Sequence, residues 1–284
     1  MRNTLLSLAV ICTNMFAPSA LAQASQIEQA LTPASTFRDC PTCPEMVIVP
    51  AGTFSMGSSD TESGRSAHEG PQKSISFNRP FAVGKYSVTF EQWDACVAAR
   101  GCDGYKPQDA GWGRGRMPVM NVSWTDVNTY LSWLSKTTKK TYRLPTEAER
   151  EYVTRAGSTA HFWWGNNIRP ALANYNHRYN DRYGGELAYP PSRTLPVDSH
   201  VPNPWGVHNV HGNVWEWTAD CWPSTLSDRR SDGSIDASED CDWRALRGGS
   251  FSDFPLFLRS AARIGFKNLS RAPNIGFRAA LTIE

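Results

Sequence analysis

The chain has 284 residues and a formal net charge of +2, so it carries no basic field that would steer it onto nucleic acid or an anionic membrane. Eleven tryptophans, 21 glycines and 19 prolines point to a compact fold with much irregular backbone, pinned by large aromatic anchors.

Arg2 precedes an apolar run, Leu5 to Phe16, and then Ala20-Leu21-Ala22 and Ala22-Gln23-Ala24, both of which suit a small-residue cleavage site. Residues 1–24 are expected to be a signal peptide. The apolar run is too short to span a membrane, and Cys12 lies too deep in it for a lipid anchor. The mature protein is therefore expected to be periplasmic or secreted, free of the membrane, and without a nucleic-acid partner. Residues 25–44 read as a small, polar tether ending in Cys40-Pro41-Thr42-Cys43. Of the seven cysteines, Cys12 belongs to the leader; an even set in an exported chain reads as disulfides. Proximity along the chain favours Cys40–Cys43, Cys96–Cys102 and Cys221–Cys241. The Cys40–Cys43 spacing is also that of a redox motif, but no helix signal follows it, and two cysteines without a nearby histidine do not suit zinc.

Residues 45–284 read as one domain. Met46 to Pro50 is a strand ending at a turn, Ala51-Gly52, and Thr53 to Gly57 alternates like a second, which predicts a hairpin. Residues 58–72 form a polar loop, and Ile75 to Tyr86 continues as strand broken at Pro80. Three helices have clear starts. Thr89 to Gln92 is a capping box with Trp93 and Val97 on one face and Gly101 as the stop. Ser123 to Asp126 opens a helix with Trp124, Val127, Leu131 and Leu134 at helical spacing. Thr146 to Glu149 caps a third, with Tyr152 and Ala156 following and Gly157 ending it. From about 158 onward helix signals vanish, and short aromatic segments alternate with Gly, Pro, Asn and Asp.

Six segments, in order, resemble the sulfatase-modifying-factor (formylglycine-generating enzyme) family: Met46 to Gly57, Pro118 to Trp124, Tyr142 to Tyr152, His211-Gly212-Asn213-Val214-Trp215-Glu216-Trp217, Leu246-Arg247-Gly248-Gly249-Ser250-Phe251, and Asn274-Ile275-Gly276-Phe277-Arg278. The resemblance implies an α+β fold, the formylglycine-generating-enzyme variant of the C-type lectin fold, with much irregular structure. In the Trp215-Glu216-Trp217 run, strand alternation places two rings on one side and the carboxylate on the other.

The resemblance also implies structural calcium, held by Gly212, Asn213, Val214 and Glu216, since calcium takes carboxylate and carbonyl oxygens. The competing expectation is that Glu216 pairs with an arginine such as Arg247. A second family calcium site maps onto Asn174 and Tyr175, with Asp181 as a substitute acidic ligand. Family members that make formylglycine carry a Cys-x-x-x-x-Cys segment just after Arg-Gly-Gly-Ser-Phe, whose thiolates bind Cu(I). Here that stretch reads Ser252 to Ser260 without a cysteine, and none follows Cys241, so the copper centre and the standard activity are not expected. The cleft is expected around Ser250, Asp253, Arg259 and Arg263, with Arg259 and Arg263 alternatively forming structural ion pairs beneath it. His208 and His211 are three apart in an irregular segment and are not expected to converge on a metal. No Gly-x-Ser-x-Gly, Walker or Rossmann pattern occurs.

Two functions follow from the resemblance. The first is an exported non-copper oxidase or maturation factor, like the periplasmic relatives that finish siderophore chromophores and also lack the cysteine pair. The second is a lectin-like binding module presenting Phe254, Phe257, Phe266 and Asn268 to a peptide or small-molecule ligand.

Overall fold

The computed structural model describes residues 35–177, 193–222, 225–227, 229–235 and 241–283. The expected signal peptide, the first part of the expected tether and Asp181 lie outside these residues. Residues 33–284 form one compact unit. The expected tether is shorter than residues 25–44, because Thr36–Phe37 (β1) already pairs antiparallel with Met46–Val49 (β2).

The strands Phe81–Gly84 (β5), Tyr142–Arg143 (β6) and Ala280–Thr282 (β11) complete a five-stranded sheet in the order β1-β2-β5-β11-β6. The expected hairpin between residues 46–50 and 53–57 does not form. Most of the second segment belongs to Gly52–Met56 (β3), which pairs with Lys73–Phe77 (β4) as a separate two-stranded ribbon, while β2 pairs with β5. Val49-Pro50-Ala51 gives the chain a corner at which it leaves one sheet for another, and all four β2 residues are buried, as a strand inside a sheet requires. The break at Pro80 between β4 and β5 is as expected. The third sheet has the order β10-β7-β8-β9, formed by Trp215–Cys221 (β7), Trp243–Arg247 (β8), Arg263–Lys267 (β9) and Ile275–Phe277 (β10); β10 runs parallel to β7.

All three expected helices form, each behind a complete capping box. They are Phe90–Ala98 (α1) after Thr89, Trp124–Thr138 (α2) after Ser123, and Glu147–Arg155 (α3) after Thr146. In each, the cap oxygen accepts a backbone N–H that would otherwise lack a helical partner, and the N3 side chain returns the bond. α1 stops two residues short of Gly101, and α3 ends with Ala156 in the left-handed region, at φ 44°. Beyond residue 158 the described helical structure is one 3₁₀ turn, Pro255–Leu258. Trp93 and Tyr130 stack with centroids 5.6 Å apart and join α1 to α2, and Phe277 of β10 meets Tyr130 at 5.4 Å.

α3 is the unusual element: all nine of its residues are buried, including Glu147, Glu149, Arg150, Glu151 and Arg155. Glu147 pairs with Arg247 Nε of β8 at 2.8 Å, with Arg263 Nε of β9 at 2.6 Å, and with Arg229. Asp220 of β7 balances Arg229 at 2.8 Å, and Glu151 balances Arg247 at 2.9 Å and Arg155 at 2.8 Å. The helix therefore docks on the β7–β8–β9 face through charge rather than through an apolar stripe.

The disulfides are Cys40–Cys43, Cys96–Cys102 and Cys221–Cys241, the pairs expected from proximity. A preparation beginning at residue 25 should therefore show no reactive thiol when titrated under denaturing, non-reducing conditions. Two or more reactive thiols would contradict the pairing.

Candidate functional site

β8 leads into the Arg247-Gly248-Gly249-Ser250 turn. Gly248 (φ 102°) and Gly249 (φ 72°) sit in the left-handed region, and a side chain at Gly249 would come within 2.8 Å of Leu258 Cδ1 and 2.9 Å of the Phe257 carbonyl. Two glycines are thus needed for the chain to reverse beneath the Pro255–Leu258 turn. The reversal brings Ser250 to Asp253, and its Oγ donates a short hydrogen bond to Asp253 Oδ2. Trp215 Nε1 of β7 donates to the same oxygen at 2.8 Å. Ser252 Oγ lies 3.0 Å from Ser250 Oγ, and Asn274 Nδ2 donates to both hydroxyls at 3.3 Å. The Asn176 backbone N–H donates to the Asp253 carbonyl at 2.9 Å.

Aromatic rings frame this group. Trp112 meets Phe251 edge-on at 5.3 Å, and Phe257 approaches Trp215 at 6.5 Å. Leu256 and Phe257 also wall a groove of about 470 Å³ shared with His68, Trp222 and Arg263. Burial pushes the Asp253 carboxyl above its ordinary range, against the opposing Ser250 and Trp215 hydrogen bonds. A carboxylate so placed is a stronger base than one on the surface, and it is linked to a hydroxyl that can pass a proton.

Of the four cleft residues expected from sequence, the structure brings Ser250 and Asp253 together and directs the other two elsewhere. Arg259 binds Glu69 and Glu62, and Arg263 binds Glu147; both arginine side chains are committed to buried ion pairs, and the groove that Arg263 also lines includes neither Ser250 nor Asp253. The residues expected for a binding surface are divided as well. Phe257 lies by Trp215, whereas Phe266 packs on Trp217 at 6.0 Å and Asn268 Nδ2 donates to the Cys241 carbonyl. His208 and His211 do not converge. His208 Nδ1 faces the His200 carbonyl at 2.8 Å, while buried His211 bonds the Leu258 carbonyl at 2.6 Å and accepts from the Trp163 N–H. Burial lowers the His211 pKa to about 3, so its ring is neutral scaffold.

The expected calcium ligands are arranged around other partners. Glu216 Oε2 accepts from Arg150 Nε at 2.7 Å and Arg278 Nε at 3.1 Å, and Oε1 from Ser87 Oγ at 2.7 Å and Arg278 Nη2 at 3.0 Å. Four donors fill the carboxylate, and two guanidiniums oppose a further cation. The pairing arginines are Arg150 and Arg278; Arg247 turns instead to Glu147 and Glu151. Asn213 Oδ1 accepts from Asn174 Nδ2 and the Leu195 N–H, and the Gly212 and Asn213 carbonyls accept from Val214 and Phe251. At the second expected position, Asn174 Nδ2 is spent on Asn213 and the Arg193 carbonyl, and Tyr175 is buried beside His177. As placed, these residues do not form a cage of free oxygens that fits calcium.

Sequence reasoning took Trp215 and Asn274 for scaffold and passed over Arg150. Each lies within a motif segment already singled out, but nothing in the linear order shows that Trp215 and Asn274 converge on Ser250 or that Arg150 reaches Glu216. Burial alone would raise the Glu216 pKa, but Arg150 and Arg278 hold it at about 2, below an ordinary 4.5. Its contribution to stability is therefore complete above about pH 4.5 and is lost as pH falls toward 2. Glu216→Gln should cost about 3–5 kcal/mol by stranding two buried guanidiniums. Thermal melts should show the same loss in calcium as in chelator, and should show the wild-type advantage shrinking below pH 4.5. A wild-type melt that collapses on chelation would restore the calcium reading.

Comparison with known proteins agrees with this architecture. Residues 32–283 match the sulfatase-modifying factor enzyme 1-like domain. The formylglycine-generating enzyme of Thermomonospora curvata is 31% identical over 83% of this chain and 92% of its own length. A mouse protein described as inactive C-alpha-formylglycine-generating enzyme 2 is 28% identical over 84% of this chain and 85% of its own. Among solved structures, PvdO from Pseudomonas aeruginosa superposes with a TM-score of 0.78 and 38% identity over 89% of this chain and 99% of that one. With the six motif segments in order and the domain matched almost from end to end, this chain belongs to the sulfatase-modifying factor, or formylglycine-generating enzyme-like, family.

Proposed function

We propose that the protein is an exported maturation factor that acts on a peptide or small molecule at the Ser250–Asp253 group, as an oxidoreductase without a copper–thiolate centre. The observation that carries this reading is the replacement of a thiolate pair, just past the Arg247-Gly248-Gly249-Ser250-Phe251 segment, by a half-buried carboxylate hydrogen-bonded to Ser250 and Trp215. All six described cysteines are consumed in disulfides, so none of them is a thiolate that could hold Cu(I). The same disulfides suit an oxidising compartment, periplasmic or extracellular, and no described helix is long and apolar enough to cross a membrane. The likeness to PvdO over most of both chains supports a maturation role.

In this reading the substrate is an electron-rich ring system, with a siderophore chromophore precursor as the first example to test. The substrate loses a proton and a hydride equivalent. Dioxygen gains both and leaves as hydrogen peroxide, and Asp253 carries the proton between them. Ser250 and Asn274 orient the acceptor group. The aromatic rim of Trp112, Phe251 and Phe257 equally supports a binding module of the lectin type, and turnover separates the two.

Purified protein should convert the dihydro form of a siderophore chromophore precursor under air, followed by absorbance. Asp253→Asn should slow that conversion by about 10²–10⁴-fold, the usual contribution of a positioned acid–base group. Absence of turnover by the wild-type protein would overturn the catalytic reading and leave the binding module. A Cys-x-Pro-x-Arg peptide incubated with the protein, copper, reductant and oxygen should yield no aldehyde above a copper-only control by mass spectrometry. Aldehyde above that control would require a catalytic centre other than the one described.

A further inference from the structure

We infer that Trp112 is the specificity-determining residue of the Ser250–Asp253 site, a stacking platform that selects ligands bearing a planar aromatic ring. The inference rests on the preceding reading that this group is the substrate site, and adds which side chain recognises the substrate and by what contact.

The loop that carries Trp112 is clamped at its base and closed on itself at its tip. At the base, Arg114 Nε donates to Asp94 Oδ2 of α1 at 2.9 Å and Nη1 to the Pro107 carbonyl at 2.9 Å, while the guanidinium lies 4.3 Å from the centre of the Phe90 ring. Asn121 Nδ2 donates to the Gln108 carbonyl at 2.8 Å, and the Glu91 N–H to the Gly115 carbonyl at 3.0 Å. At the tip, the Gly111 N–H donates to Asp109 Oδ1 at 3.0 Å and the Trp112 N–H to the Asp109 carbonyl at 2.9 Å. Ala110 (φ 54°), Gly111 (φ 75°) and Gly113 (φ 97°) hold the left-handed region on both sides of the indole, a conformation uncommon for a residue with a side chain. Among the described residues, a Cβ at Gly111 or Gly113 would meet nothing within 4 Å. These glycines therefore serve backbone conformation rather than close packing, and what that conformation holds in place is one indole.

That indole meets the site through Phe251, the residue directly after Ser250. The two rings stand edge-on, with centroids 5.3 Å apart and planes at 87°. An edge-on pair covers at most one flat face of each ring, so Phe251 leaves at least one face of Trp112 for another π-system, and aromatic pairs favour offset stacking. Phe251 and Trp215, at 7% and 2% exposure, are committed to the interior. Trp112 is half-buried, with exposed glycines on either side. Of these three rings it is the one that a ligand bound at Ser250 and Asp253 can cover.

The test uses catechol as the probe and cis-cyclohexanediol, which keeps the paired hydroxyls and lacks the ring plane, as the control, with oxygen excluded. The protein is labelled with fluorotryptophan, and the fluorine resonances of Trp112 and Trp215 are assigned with Trp112→Phe and Trp215→Phe. Catechol should shift both resonances with one binding curve and bind about tenfold more tightly than the saturated diol. Trp112→Ala should remove that preference while leaving the affinity for cyclohexanediol unchanged, and Trp112→Phe should restore most of it. A residue that merely pinned Phe251 would not move this ratio. If the alanine variant fails to fold, the joint shift of Trp112 and Trp215 in the unaltered protein still decides. A shift at Trp215 with the catechol preference intact in Trp112→Ala, or a shift at Trp112 alone, would overturn the inference. The first of these results would leave the Ser250–Asp253 group as a ligand site. No shift of Trp215 with either diol would overturn both readings.

Discussion

The structure depends on the burial of paired charge around α3. Glu147 is fully buried among three guanidiniums, with Asp220 and Glu151 balancing the excess. Arg150, one turn along, reaches Glu216 in β7, which Arg278 meets from the segment between β10 and β11. Such networks are not a large net source of stability, because desolvation cancels much of the Coulomb gain. Their value here lies in specificity. Each carboxylate is satisfied only when α3, β7, β8, β9 and the C-terminal segment are all in register, and a displaced strand would strand a charge in the interior.

That constraint bears on the site. Arg247 is anchored to Glu147, and the two residues that follow it are the glycines that turn the chain toward Ser250. Glu216 is anchored by Arg150 and Arg278, and its neighbour Trp215 presents Nε1 to Asp253. Both walls of the Ser250–Asp253 group thus hang from adjacent residues of the ionic network. A frame of this kind holds a short irregular segment, 250–258, on the ends of paired strands, the place where binding residues are commonly carried.

The fold was largely legible in linear order. The three capping boxes are local patterns, and each starts a helix because its hydrogen bonds span only three residues. The disulfides follow from closeness along the chain. The character of α3 was not legible in the same way. Glu147, Arg150, Glu151 and Arg155 lie in a polar helix, and charged residues are ordinarily exposed; only their partners, from Asp220 to Arg278, bring them inside. The expected β2–β3 hairpin failed for a related reason, since strand pairing is decided by the sheet that buries both faces of β2 and not by its nearest neighbour in sequence.

The chain by itself therefore determined the family, the mixed α+β class with its helix starts, and the absence of a thiolate pair at the cleft, because each rests on residue types or short-range hydrogen bonds. Tertiary structure alone decided which arginine meets which carboxylate. It filled Glu216 with Arg150 and Arg278, drew Arg259 and Arg263 away from the cleft, and left Asp253 with Ser250 and Trp215. The physical reason is that a buried charge is neutralised by whatever the fold brings within about 3 Å, and that choice is made across tens to hundreds of residues of intervening chain.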